Sequence, residues 1–207
     1  MDGFTFEFED RKEQLETWEW DNVMINHTED TQGKRLLYIG DSISCGTRGV
    51  ANEKQGVHFD GFGTSKALDN PYFKPTLSLF ARQQGRRDAV LFNNGLHGWH
   101  LDDATEYKEY YEDFVKYLLE EFKGTPIYIV LTTYYSNEKR VNRVVARNEV
   151  ALEIAKKYDL PVIDLYTVSI NNKDLLTEDG VHFTKAGYEK LEEKILETLN
   201  FWKEKQR

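Results

Sequence analysis

Four short apolar runs punctuate the chain: RLLYIG at 35–40, DAVLFN at 88–93, PIYIVLTT at 126–133 and LPVIDL at 160–165. Each is brief and rich in β-branched or aromatic residues, the pattern of a strand buried on both faces. Between these runs the apolar positions recur with the period of a helix. Tyr107, Tyr111, Phe114 and Leu118 follow one another at spacings of four, three and four, which places them on one face of a helix over about 102–122. Gly124 and Pro126 then supply its cap and its stop. A second helix over about 138–158 turns Val141, Val145, Leu152 and Ala155 inward and Arg140, Arg143 and Arg147 largely outward. A third, over about 184–202, carries the stripe Tyr188, Leu191, Ile195, Leu199 and Trp202. The stretch 50–75, rich in Gly, Asn and Asp, is the least regular, with room for a fifth short strand in HFDGFGT. Near the start, Phe4, Phe6 and Phe8 alternate with polar residues as in a half-buried strand, and 9–34 reads as an excursion around the domain.

Strands alternating with helices of this length predict parallel βαβ units, right-handed crossovers and a sheet covered on both sides. In such a sheet ligands bind beyond the carboxyl ends of the strands. The loops to inspect are therefore GDSISCG, NNGLHGWH, TTYYSNEKR and the long stretch ending in EDGVHFTKAGY.

Composition narrows the picture. The 207 residues suffice for one well-buried α/β domain, and no low-complexity tract or internal repeat divides them. With 36 acidic against 27 basic side chains the net charge is -9, which offers no basic face to a polyanion, so nucleic acid is not an expected partner. MDGFTFEFEDRKEQ has neither the basic start nor the apolar centre of a signal peptide, and no apolar run approaches the roughly 20 residues needed to span a bilayer. A cytoplasmic protein without a membrane partner is the expectation. The single Cys45 leaves no internal disulfide and reads as a small buried residue.

A serine hydroxyl attacks well only when a base takes its proton and a third group orients the base. Ser42 follows a predicted strand directly, Gly40 permits a tight turn, and a helix starting there would stabilise developing negative charge. Asp179 and His182 lie three apart just before the last helix, so both can project from one turn at the same end of the sheet. The GxSxG elbow is absent, which argues against the α/β-hydrolase fold.

GDSIS at 40–44 together with DGVHFTKAGY at 179–188 resembles the first and last blocks of the SGNH hydrolases, also called GDSL-type esterases. The resemblance runs from about 35 to 200. It implies a three-layer α/β/α fold with a flavodoxin-like parallel sheet of about five strands. Residues 1–34 would then be an extension packed on a hydrolase domain at 35–207. It also implies an esterase, lipase or acyltransferase with Ser42 as nucleophile, His182 as base and Asp179 as its orienter, needing no cofactor. The family's oxyanion glycine matches Gly63 best, with Gly61 as the alternative. Its Gly-x-Asn-Asp block is replaced by Gly95-Leu96-His97-Gly98, so His97 is the expected donor in place of the asparagine, and Asn94 is the other candidate. Asp41, Asn94 and Trp99 are expected on the substrate side.

Plainer readings compete at each position. Ser42 alone would pass for a helix start, and only the downstream Asp-x-x-His makes it a nucleophile. His97, His100 and Asp102 spell H-x-x-H-x-D, yet no further ligand cluster accompanies them and no metal is expected. Trp18 and Trp20 fit packing better than sugar stacking, and the arginines of 138–158 fit a solvated face, although Tyr134, Tyr135 and Arg140 begin near the substrate end. The expected activity is hydrolysis of a small ester, an acetyl group on a carbohydrate or related metabolite. An acyltransferase, or a silent carbohydrate-binding module on the same fold, are the rivals.

Overall fold

The computed structural model describes residues 18–53, 56–101 and 103–199. Its strands are β1 (Asp21–Met24), β2 (Lys34–Gly40), β3 (Val57–Thr64), β4 (Ala89–Phe92), β5 (Ile127–Val130) and β6 (Val162–Ile163). Its helices are α1 (Ser42–Ala51), α2 (Phe73–Gln84), α3 (Ala104–Glu121), α4 (Glu138–Lys157), α5 (Leu165–Asn171) and α6 (Lys185–Leu199), with a 3-10 turn at Lys173–Leu175. The six strands form one sheet in the order β1-β3-β2-β4-β5-β6. Strands β2 to β6 are parallel, and β1 pairs antiparallel with β3 at the edge.

The five parallel strands have the flavodoxin-like order, in which the winding reverses at β2: β3 lies on one side of it and β4 on the other. That reversal opens a crevice beyond the carboxyl ends of β2 and β4, where Gly40 leads into Ser42 and Phe92 leads into the loop holding His97.

Alternation along β2 explains the two cores. Leu37 and Ile39 point to one face, where Phe73, Leu77 and Phe80 of α2, Tyr107, Tyr111, Phe114 and Leu118 of α3, and Ala151 and Ile154 of α4 cover them. Leu36 and Tyr38 point to the other, against Ile43 of α1, Leu165 of α5, and Leu191 and Ile195 of α6. A strand with both faces covered reads as a continuous apolar run, the signature from which β2 was predicted.

Several expectations need correction. The stretch 50–75 holds the strand expected in HFDGFGT, which is β3, and leads into a helix not expected there, α2. Gly61 and Gly63 within β3 serve close packing: a Cβ at Gly63 would lie 2.3 Å from Cys45 Sγ of α1. The inward face of α4 is also different, since Val145 and Leu152 are exposed whereas Val144, Arg147, Val150 and Ile154 are buried. Aliphatic spacing alone points to the first set, whereas the buried stripe includes an arginine. Within 18–33 the chain supplies β1 to the sheet, and Arg35 ties the segment down by donating to the Asn26 and His27 carbonyls and, at 2.8 Å, to buried Asp60. The alternation at Phe4, Phe6 and Phe8, together with Asp102 and Trp202, lies outside the described residues.

Candidate active site

Asp41 ends the turn after β2 and caps α1, its Oδ1 accepting from Ile43 N at 2.9 Å. This cap leaves Ser42, half-buried, as the first helical residue. The opposing turn is built around Asp179. Its Oδ1 accepts from Val181 N, His182 N and the Thr177 hydroxyl at 2.9, 2.9 and 2.8 Å. Gly180 takes φ +70° in this turn and a Cβ there would strike Ser136 Oγ at 1.8 Å, so glycine is required on two counts.

The two turns meet. His182 Nε2 lies 2.8 Å from Ser42 Oγ, and His182 Nδ1 lies 2.6 Å from Asp179 Oδ2. Residues 140 positions apart in sequence thereby share one hydrogen-bonded line. The His182 bond, followed by the backbone N–H groups of Val181 and His182, holds the Asp179 carboxyl well below the usual carboxylate range. An ionised carboxylate can only accept, so Nδ1 carries the proton and donates to Asp179. Nε2 of the neutral ring is then a bare acceptor for the Ser42 hydroxyl proton. This is the tautomer a general base requires.

The remaining expected residues take distinct places. His97 sits half-buried on the loop after β4, edge-on to Trp20 with ring centroids 5.9 Å apart. His97 and His182 both lie near enough to Asp41, the residue before Ser42, to enter its electrostatics. Asn94 is buried, and its amide donates inward to the Lys66 carbonyl at 3.1 Å, a bond that favours His97 as the side chain facing a substrate. Gly63 belongs to β3, paired with Asn22 of β1 and Gly40 of β2, and not to a loop. Trp99 has its ring covered by the guanidinium groups of Arg140, Arg143 and Arg147, whose central carbons lie 4.0, 4.8 and 5.0 Å from its centroid. These cations lie close against the ring that a sugar would have to stack on. His100 pairs with Asp69 at 2.9 Å. Burial raises the Cys45 thiol, which suits packing and not attack.

Asp41 is 4% exposed and turned into the cap, not out toward a substrate. Burial raises its carboxyl, against the pull of His97, of the Ile43 N–H and of His182, and its Oδ2 has no partner. A raised carboxyl favours folding fully below the unfolded value of about 3.9 and loses that contribution as pH rises through the folded value. Asp41→Asn keeps a competent cap and removes the titration. The difference in Tm, variant minus parent, is therefore expected to grow as pH rises from about 4 toward neutrality. A difference that stays constant across that window would show that the carboxyl does not titrate in the fold.

Sequence reasoning missed Arg147, which packs beneath the His97 loop, and Tyr107, whose hydroxyl donates to the Asn94 carbonyl. Both act on backbone carbonyls, which every residue type carries, so no side-chain pattern announces them.

No protein-family model matches the chain, and no curated protein sequence matches it. Solved structures do. A lipase/acylhydrolase from Enterococcus faecalis aligns with a TM-score of 0.61 at 20% identity, over 80% of this chain and 95% of that one. A member of the lipolytic G-D-S-L family from Veillonella parvula aligns at 0.61 and 19% identity, over 82% and 100%. Axe2, an acetylxylan esterase from Geobacillus stearothermophilus, aligns at 0.59 and 17%, over 82% and 95%. At these identities the likeness establishes a shared fold, the α/β arrangement expected from the end blocks. Among the described residues no helix is long and apolar enough to cross a membrane.

Proposed function

We propose that the protein is a serine ester hydrolase of the SGNH type, with Ser42 as nucleophile, His182 as general base and Asp179 as the group that orients and charges the base. The observation that carries this reading is the unbroken line Asp179–His182–Ser42, at 2.6 and 2.8 Å, at the crevice where α/β sheets of this order bind ligands. The fold is shared with a lipase/acylhydrolase and an acetylxylan esterase, which supports ester chemistry and favours a small acyl group on a carbohydrate.

In the reaction, His182 Nε2 takes the Ser42 proton as Oγ attacks the ester carbonyl. The tetrahedral oxyanion is held by the N–H of Ser42 at the start of α1 and by an imidazole N–H of His97. Return of the proton from His182 to the alcohol oxygen breaks the ester bond. Water, deprotonated by the same ring, then releases the acyl group from Ser42. Nothing in this cycle calls on a metal or organic cofactor.

The test is hydrolysis of p-nitrophenyl acetate, together with covalent labelling by a fluorophosphonate mapped to Ser42. An intact chain that neither cleaves the ester nor labels would sink the reading and leave a binding module on the same fold. If excess sugar acceptor raises ester turnover while lowering free acid release, the reaction is acyl transfer.

His97→Ala is expected to lower kcat by about 100-fold to 1000-fold with little change in KM, because the donor meets charge only in the transition state. Asn94→Ala should have a smaller effect on kcat, since its amide is already committed to Lys66. If the two variants rank the other way, the donor is Asn94.

A further inference from the structure

We propose that Arg147 is a positioning residue for this reaction: its guanidinium shapes the loop 94–101 and thereby aims His97 at the oxyanion. The inference rests on the hydrolase reading above.

Arg147 lies on α4 and is 3% exposed. Its Nη1 donates to the carbonyls of Gly95 and His97 at 3.2 and 2.5 Å. Its Nη2 donates to those of Gly98 and Leu101 at 2.6 and 3.1 Å. One cation thus gathers four carbonyl oxygens of a single loop, including that of His97 itself. Within the loop the backbone closes one turn, Leu101 N donating to the Gly98 carbonyl at 3.1 Å, and side chains reach its other carbonyls. A planar fork of donors suits this task, because its N–H directions are fixed relative to one another.

The neighbours of Arg147 restrict it as tightly as it restricts the loop. Its guanidinium carbon lies 4.4 Å from the Tyr107 ring centroid and 5.0 Å from that of Trp99. Tyr107 in turn holds the Asn94 carbonyl, and the Asn94 amide reaches Lys66. Next along α4, Asn148 fixes Thr132 at the end of β5 from both sides, accepting from its N–H at 2.8 Å and donating to its carbonyl at 2.9 Å. The segment leading into α4 is joined to the turn of the base, where Ser136 N donates to the Gly180 carbonyl at 2.9 Å. The same helix therefore connects the loop of the proposed oxyanion donor with the turn that carries Asp179 and His182. A lysine at 147 would keep the charge but offers donors from one point, so it can satisfy part of the carbonyl set and not all of it.

The experiment measures kcat, KM and Tm for the parent chain, Arg147→Lys, Arg147→Met, His97→Ala and the two double variants, with p-nitrophenyl acetate as substrate. Both Arg147 variants are expected to lose tenfold or more in kcat with KM within about threefold. In the His97→Ala background the same substitutions should cost less than threefold, since the group they aim is gone. A loss of equal factor in both backgrounds, or Arg147→Lys with parental kcat, overturns the proposal. Failure of both Arg147 variants to fold would assign the residue to stability alone and overturn it equally. If the parent chain itself neither hydrolyses the ester nor labels at Ser42, the hydrolase reading fails first, and the inference falls with it.

Discussion

Ser42→Ala and His182→Ala are each expected to lower kcat by about 10^4-fold to 10^6-fold, and the double variant to be scarcely worse than either alone. In the proposed reaction nucleophile and base act as one unit, because the hydroxyl is reactive only while Nε2 takes its proton across the 2.8 Å bond. Once one partner is gone the other has no task, so the losses do not add. Neither substitution should unfold the chain. Ser42 occupies the first position of α1, whose cap is Asp41, and His182 is held in its turn by its backbone N–H to Asp179. Kinetics with p-nitrophenyl acetate and thermal melts on the same samples check both halves. Additive losses, or a variant retaining a tenth of parental kcat, would place the chemistry elsewhere.

Asp179→Asn is expected to cost about 10^4-fold in kcat while leaving the turn in place. An asparagine Oδ1 can still accept from Val181 N, His182 N and Thr177 Oγ, the bonds that form the turn. Its Nδ2, however, would face His182 Nδ1 with a donor. The ring would answer by moving its proton to Nε2, which then points an N–H at Ser42 and cannot serve as a base. The sign of the pH effect follows from the same contact. A carboxyl held below its usual value stabilises the fold above the unfolded pKa near 3.9, and that contribution is lost only as pH falls through the folded value. The side chain is 51% exposed, so solvent screens this contribution to stability and the main consequence is catalytic. Activity lost on mild acidification should therefore not be traceable to Asp179, and the carboxyl signal followed by NMR should remain that of the ion down to about pH 4. A carboxyl that takes up its proton above that pH would contradict the geometry.

The strands were legible where burial on both faces wrote them as apolar runs, as in β2 and β4. β3 was legible only as a short strand with no apolar run, because it spends two of its positions on glycines that let α1 approach: side chains at 61 and 63 would collide with Arg48 and Cys45. The same ambiguity hid the inner face of α4. Helical period says that a face exists, but Val145 and Leu152 fit one choice of stripe and Val144, Arg147 and Ile154 another. The chain buries the second, where Val144 and Ile154 enter the two cores and Arg147 meets the carbonyls of the loop 94–101.

For the candidate site, Ser42, Asp179 and His182 were readable from residue type and spacing, since a nucleophile needs a base and a base needs an orienter. The order of alternating strands and helices was enough to bring the three to one end of a sheet. Which partner each nitrogen of His182 meets, the inward turn of the Asn94 amide to Lys66, and what holds the loop 94–101 were decided only by tertiary structure. Those properties depend on backbone carbonyls and on distances between segments far apart in the chain, and a carbonyl is the same at every position until the fold gives it a partner.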